Sequence, residues 1–390
     1  MRQLPFEYAF RNLGRSRVRL IALLIGSALV VMLVLAAAGF VEGMQRALTS
    51  RAALHDNIII LGTGSEESLE RSQIDASVEV IAAASIPGLK TAAGVTFASP
   101  EIHMALPLRL KKGDEAELQA VLRGMQPVAY LVHPEVEIVE GRQARAGEQE
   151  LVVGSLAATR LGVAPEALAI GQTLHFDNRD WTIVGRFSAP QTVMDAEIWL
   201  PLTDLQIATK RERSLSCVIV SLDTATFPEV DAFAKSRLDL ELTAMPEREY
   251  YASLAAFYRP VRIMVLATAG LIAAGGLLGG VNTMYASFAS RVREVGMLQA
   301  LGFTRQAIVL NLTEESVFAS ACGAIIGACA ALLLLDGVAV RFSMGAFTLS
   351  IGAMSLLIGL AAGMLVGLIG AIPPAARCLR LPITEALKSH

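Results

Sequence analysis

The sequence predicts a membrane protein with four transmembrane α-helices in a one-plus-three order, with a large extracytoplasmic mixed α+β domain between the first helix and the second. Three observations carry this expectation. The 390 residues are 54% hydrophobic and only 18% charged, an apolar excess that suits a bilayer better than water. Four apolar runs are long enough to cross a hydrocarbon layer of ~30 Å as helices. Between the first and second runs, residues 42–258 alternate short β-branched stretches with turn-forming residues.

The first run, Val18 to Val41, reads VRLIALLIGSALVVMLVLAAAGFV, with one charge at its edge. Arg15, Arg17 and Arg19 also resemble the basic start of a signal peptide, and Ala36, Ala37 and Ala38 a cleavage site. The length of the apolar run favours a span over a cleaved leader. Further spans are expected at 259–288, 312–336 and 347–372, with a polar interruption around Asp336 to Ser343. Cytoplasmic flanks retain Lys and Arg near the membrane. Arg11, Arg15, Arg17 and Arg19 precede the first span; Arg291, Arg293 and Arg305 lie between the second and third; Arg377, Arg380 and Lys388 follow the fourth. Both termini are therefore expected in the cytoplasm, as a multi-pass protein of the cytoplasmic (inner) membrane, and residues 42–258 outside it.

Within that external stretch, Asn57 to Leu61, Ile102 to Leu110, Leu151 to Val153 and Ser216 to Ser221 have strand character. Thr173 to Phe176 and Trp181 to Phe187 flank the polar turn Asp177 to Asp180, which predicts a hairpin. Ser155 to Leu161 and Glu229 to Leu238 read as helices.

Charge and motif content exclude several functions. A net charge of −3 supplies no basic field for nucleic acid. The four cysteines Cys217, Cys322, Cys329 and Cys378 give no internal disulfide framework and read as small apolar fillers. Histidines 55, 103, 133, 175 and 390 are scattered without metal-ligand spacing, so each reads as a surface or structural residue, and no metal or catalytic constellation is expected. No ionisable residue sits in the middle of a span, which argues against ion-coupled transport. Asn282 is the one strongly polar side chain well inside a span, and a helix-to-helix hydrogen bond is its default explanation.

The most informative stretch is Arg291 to Ser316, RVREVGMLQALGFTRQAIVLNLTEES. Val292, Val295, Leu298 and Leu301 fall on one helical face while Arg291, Arg293, Glu294 and Arg305 are polar, which predicts a short amphipathic helix at the cytoplasmic surface. An ordinary interfacial helix obeying the positive-inside rule fits the periodicity equally well. Small residues also recur at four-residue spacing, a pattern that brings helix backbones close in lipid: Gly275 with Gly279, Gly276 with Gly280, Gly323 with Gly327, and Gly359, Gly363 and Gly367.

The loop stretch resembles the signature of the MacB/FtsX/LolE superfamily of ABC permeases through Arg291, Glu294, Val295, Gly296, Ala300, Leu301 and Gly302, followed by Glu315 and Ser316. The carboxyl end is similar to that of the family through Pro374, Arg377, Pro382, Ala386 and Leu387, and residues 1–17 resemble its short cytoplasmic interfacial helix. The resemblance covers the external domain only loosely, through WTIVGRF and IWLPL. It implies that 289–311 is a coupling-helix loop whose Arg291, Glu294, Val295, Gly296, Ala300 and Gly302 meet an ATPase. It also implies helix packing or a dimer seam at Gly275, Gly276, Gly279 and Gly280, and a cytoplasmic tail at 373–390.

No lysine follows a glycine, so no phosphate-cradling Gly-Lys-[Ser/Thr] loop occurs. The expectation is a non-catalytic subunit without a cofactor of its own, with ATP and Mg held by a separate ABC ATPase. The implied function is mechanotransmission: ATP-driven change in the spans passed to the external domain, for export or for lipoprotein or lipid extraction. The implied partners are that ATPase, a second permease copy, a periplasmic adaptor or lipoprotein carrier, and the bilayer. The alternatives are an FtsX-like regulator of a cell-wall hydrolase and a membrane-anchored receptor without an ATPase.

Overall fold

A computed structural model describes residues 17–49, 56–289, 291–342 and 345–378, apart from Lys112 and Asp114. Residues 1–16 of the expected interfacial helix (1–17) and residues 379–390 of the expected tail (373–390), including Pro382, Ala386 and Leu387, lie outside the described residues. The chain forms two compact units. One comprises Met1–Glu42, Pro260–Val338 and Leu349–His390, the other Gly43–Arg259 and Ala339–Thr348.

The first unit holds four long apolar helices: Arg17–Thr49, whose last residues enter the second unit, then Arg259–Ala289, Arg305–Leu334 and Ala353–Cys378. Each is long and apolar enough to cross a membrane. The third begins at Arg305 rather than 312, because Thr304 caps it, its side chain accepting the Ala307 amide. That helix carries Glu315, of the Glu315–Ser316 pair expected at its entry, in a buried position. The fourth begins at Ala353 rather than 347 and continues through Pro373 and Pro374. Its N-terminus is satisfied by Glu42 of the first helix, whose Oε2 accepts from the Gly352 amide at 3.1 Å and the Ser355 hydroxyl at 2.8 Å.

Glycines set the packing of the first, third and fourth helices. A Cβ at Gly323 or Gly327 would enter the backbone of Leu24 or Ala28, and one at Gly359 or Gly363 would strike Leu35 or Val31. In the second helix the four glycines expected at a packing seam divide. Gly276 faces Val30 and Gly280 faces Val366, whereas Gly275 and Gly279 meet nothing within 4 Å. Thr268, Leu271, Gly275, Leu278 and Asn282 are all exposed and follow one another at intervals of three and four residues. Among the described residues, Asn282 makes no helix-to-helix bond of the kind expected.

The second unit is a mixed α+β domain. Its strands are β1 (Asn57–Gly62), β2 (Ile74–Asp75), β3 (Thr91–Ala92), β4 (Val95–Thr96), β5 (Ala98–Leu108), β6 (Leu118–Met125), β7 (Glu137–Gly141), β8 (Glu150–Gly154), β9 (Thr173–Phe176), β10 (Arg179–Ser188), β11 (Ile198–Pro201), β12 (Ser214–Leu215), β13 (Cys217–Ser221) and β14 (Leu242–Pro246). The principal sheet runs β14-β1-β13-β5-β6-β11-β8-β10-β7, with β9 beside β10. The expected hairpin is β9 and β10, with Arg179 opposite Phe176 across a turn in which Asp177 and Asn178 adopt positive φ.

Side chains alternate across the sheet. One face presents Ile58, Ile60, Ile102, Leu122, Val153, Leu200, Val218 and Val220 to a single apolar core that includes Trp181. The opposite face carries an apolar cluster of Met125, Val152, Phe187 and Trp199 and, beside it, a row of buried polar residues.

Candidate functional site

In the membrane unit, the expected amphipathic helix is Val292–Ala300, joined to the third long helix by a tight turn. Gly302 makes that turn at φ +88°, a conformation that disfavours a Cβ. Val295 is 4% exposed and packs with Leu23, Met284 and Phe288, Ile308 and Leu312, and Ala371 and Ala375. The short helix is thus inserted among the ends of all four long ones.

An ion pair fixes its start. Arg291 Nη1 donates to Glu315 Oε2 at 2.9 Å, and Arg291 Nε donates to Glu294 Oε2 at 3.0 Å. The Glu315 side chain is only 4% exposed, so the pair removes an otherwise expensive buried charge. The residues that carry the signature therefore divide by position. Arg291, Glu294, Val295 and Gly296 face inward and hold the helix, while Ala300 and Gly302 are exposed. The outward stripe is Arg293, Met297, Ala300 and Leu301, at helical spacing, with Met297 48% and Leu301 65% exposed. Leu301 does not join the apolar inner face on which the sequence pattern put it, because the helix has already ended there.

In the external unit, the polar row on the second sheet face is an ion network that sequence reasoning missed. Arg123 is 1% exposed, and all three of its nitrogens are paired. Nε and Nη2 fork onto Glu197 at 2.7 and 2.9 Å, and Nη1 meets Glu101 Oε2 at 2.7 Å. Glu101 accepts four bonds, from Ser99, His103, His133 and Arg123. Burial pushes its carboxyl upward, but Arg123 beside it and the two imidazoles hold it well below the ordinary range. Burial pushes His133 down; bonding to Glu101, with Glu135 and Glu247 close by, outweighs this and raises it to about 10. His103 is pushed down by burial and by Arg123. His103 and His133, two of the five scattered histidines, thus converge on one carboxylate.

Glu101, His103 and Cys217 stand close enough together to suggest a cation site. The donor set does not fit one. Both Glu101 oxygens are already saturated, two of the bonds coming from the cations Arg123 and His133, and a further positive charge there is repelled.

The network extends to the helix Glu247–Phe257, which leads into the second long helix. Asn57, the first residue of β1, donates to Glu247 Oε2 at 2.8 Å, and Ser221 donates to Asn57 Oδ1 at 2.7 Å. A cavity of about 50 Å³ borders the network, lined by Leu48, His103, Arg123, Glu197, Tyr250 and Tyr251 among others.

The MacB-like periplasmic core domain model matches residues 20–233, and the FtsX-like permease C-terminal model matches residues 266–383. The macrolide export ATP-binding/permease protein MacB of Shewanella sp. (strain W3-18-1) is 24% identical over 98% of this chain and 60% of its own length. The chain therefore spans about 60% of the length of the MacB relatives that it matches along its whole extent. The uncharacterized ABC transporter permease YvrN of Bacillus subtilis is 21% identical, covering 99% of this chain and 98% of that protein. The periplasmic region of MacB from Actinobacillus actinomycetemcomitans superposes with a TM-score of 0.38 at 12% identity, over 51% of this chain and 92% of that one. With more than half of the chain matched by the first model and most of the remainder by the second, this protein belongs to the MacB/FtsX-type superfamily of ABC transporter permeases.

Proposed function

We propose that the chain is the non-catalytic membrane subunit of an ABC transporter that pairs with a second copy of itself and with a separate ATPase holding ATP and Mg. Hydrolysis in that ATPase moves the helix Val292–Ala300, and the spans pass the motion to the external domain, driving export or extraction of a lipoprotein or lipid. One observation carries the reading: a short helix inserted among the ends of all four long helices presents an outward stripe of Arg293, Met297, Ala300 and Leu301. Exposed Met and Leu on a polar helix suit a protein partner in water. Displacing this helix displaces Val295 against residues of every span.

The second helix supports the paired state. Its stripe through Gly275 and Gly279 is open, and Asn282 on the same stripe is exposed where lipid offers no hydrogen bond. The same stripe on a second copy supplies both close packing and an amide partner.

The basic flanks support a cytoplasmic position for both termini in the inner membrane. Two measurements test the reading. A tagged chain purified from its own host should retain an ATPase, and the receptor alternative is favoured if it never does. Cysteines at Arg15 or Lys388 should resist an impermeant thiol reagent in spheroplasts while one in the turn Asp177 to Asp180 reacts; labelling at Lys388 before lysis contradicts the four-span topology.

A further inference from the structure

The segment between the third and fourth long helices is not a slack linker. Ala339–Phe342 (β15) and Gly345–Thr348 (β16) form an antiparallel hairpin, with Ala339 opposite Thr348 and Phe342 opposite Gly345. The hairpin belongs to the external unit, whereas the helices on either side of it belong to the membrane unit. A lone two-stranded hairpin is at best marginally stable in water, so its seat matters.

That seat is specific. Ala346 is fully buried and Phe347 is 2% exposed. Phe347 meets Phe342 edge-on at 5.6 Å between ring centroids, and Phe342 meets Tyr258 at 5.4 Å. Tyr258 immediately precedes the second long helix. Gly43, near the end of the first, lies so close to Phe347 that an added Cβ would stand 2.9 Å from the ring. A Cβ on Gly345 would stand 3.9 Å from that of Val193 in the 3-10 turn Val193–Ala196.

The connectors have little freedom either. Gly337 donates to the Leu349 carbonyl at 2.9 Å, Leu349 donates to that of Val338 at 2.8 Å, and the Ile351 amide donates to Asp336 Oδ1 at 2.9 Å. These bonds tie the two connectors to each other and to the end of the third helix.

We propose that the hairpin is a strut, in which Phe342 and Phe347 carry displacement of the third and fourth helices into the external domain by a route separate from the first and second helices. The proposal rests on the reading that ATP-driven motion is passed outward. The strut stays seated throughout the cycle. It pushes on the first-helix exit at Gly43, on the second-helix approach at Tyr258 and on the 3-10 turn at Val193.

The test uses the full chain with its co-purified ATPase in lipid nanodiscs, with a spin label at exposed Leu238 in each copy. The readout is the ATP-driven change in label-to-label distance beside the rate of ATP hydrolysis. Replacing Ala339–Thr348 by a Gly-Ser segment of equal length should retain hydrolysis and lose the distance change. Phe347→Ala should reduce the change, and Phe347→Leu should restore it. A second variant is independent of loop replacement: Val193→Cys with Gly345→Cys, whose Cβ separation suits a disulfide. Oxidation should leave the change intact, because the hairpin never leaves its seat. A normal change after loop replacement overturns the strut, as does loss of the change on oxidation with recovery on reduction. A wild-type complex without an ATP-driven change retires the proposed function itself, and the strut with it.

Discussion

Arg291 and Glu315, 24 residues apart in the chain, meet at 2.9 Å and pin the start of the short helix Val292–Ala300 to the third long helix. Arg291 also holds Glu294, one turn along. The two pairs differ in burial, since the Glu315 side chain is 4% and that of Glu294 23% exposed.

Arg291→Gln should therefore destabilise the protein more than Glu294→Gln. Removing the arginine of the buried Arg291–Glu315 pair costs more, up to about 3 to 5 kcal/mol, than losing a partly exposed pair, which contributes at most about 1 kcal/mol. Thermal unfolding in detergent, with limited proteolysis between Ala289 and Arg305, measures both. Equal small shifts would show that Glu315 is adequately solvated without its arginine.

The second helix separates two roles for four neighbouring glycines. Gly275→Leu with Gly279→Leu, or Asn282→Leu alone, should weaken the paired state and leave each chain folded. Gly276→Leu should instead disturb the chain's own packing, because its side chain would enter Val30. Crosslinking in membranes, beside size-exclusion chromatography with light scattering, distinguishes the two. Undiminished pairing of the Gly275→Leu, Gly279→Leu variant would remove the second helix from the interface.

His133 gives the external domain a defined pH response. Its folded value of about 10 lies above the ordinary 6.5, so its stabilising contribution is complete below about pH 6.5 and is lost as pH rises towards 10. His133→Gln should cost about 3 to 5 kcal/mol near neutrality by leaving Glu101 with one cation fewer. The difference between wild type and variant should shrink between pH 7 and 10. Parallel unfolding curves across that range would mean that His133 is neutral in the folded protein.

The four long helices were legible in the sequence because apolar run length responds to the bilayer alone. The buried ion network was not. Along β5 and β6, Glu101, His103 and Arg123 alternate with Ile102, Leu122 and Gly124, the pattern of a strand with one face in water. The lead-in helix Glu247–Phe257 and the short helix Ala129–Val132, whose end meets Asn57 and whose next residue His133 meets Glu101, lie against that face, a tertiary fact without a local signal. The hairpin at 339–348 was hidden in a similar way. Phe347 extended the apolar run of the fourth helix, and only its pairing with Val340 marks it as a strand residue. Between the second and third long helices the amphipathic pattern marked a short helix, but its outward residues differ from those the resemblance emphasised. Glu294 and Gly296 secure the helix, whereas Met297 on it and Leu301 just past its end are exposed.

The decisive measurement is ATP hydrolysis by the co-purified ATPase, reconstituted with wild-type chain or with the Met297→Asp, Leu301→Asp variant. Both substitutions lie on the outward stripe and leave Arg291, Glu315 and Val295 in place, so the variant should insert and pair normally. An apolar hot spot at an interface centre contributes about 2 kcal/mol or more, above the ~1.4 kcal/mol of a tenfold affinity change, and an unpaired carboxylate buried in its place adds a desolvation penalty. Wild-type chain should bind the ATPase and stimulate it, and the variant should lose both by about tenfold or more. Equal binding and equal stimulation by the two proteins would contradict coupling through this helix.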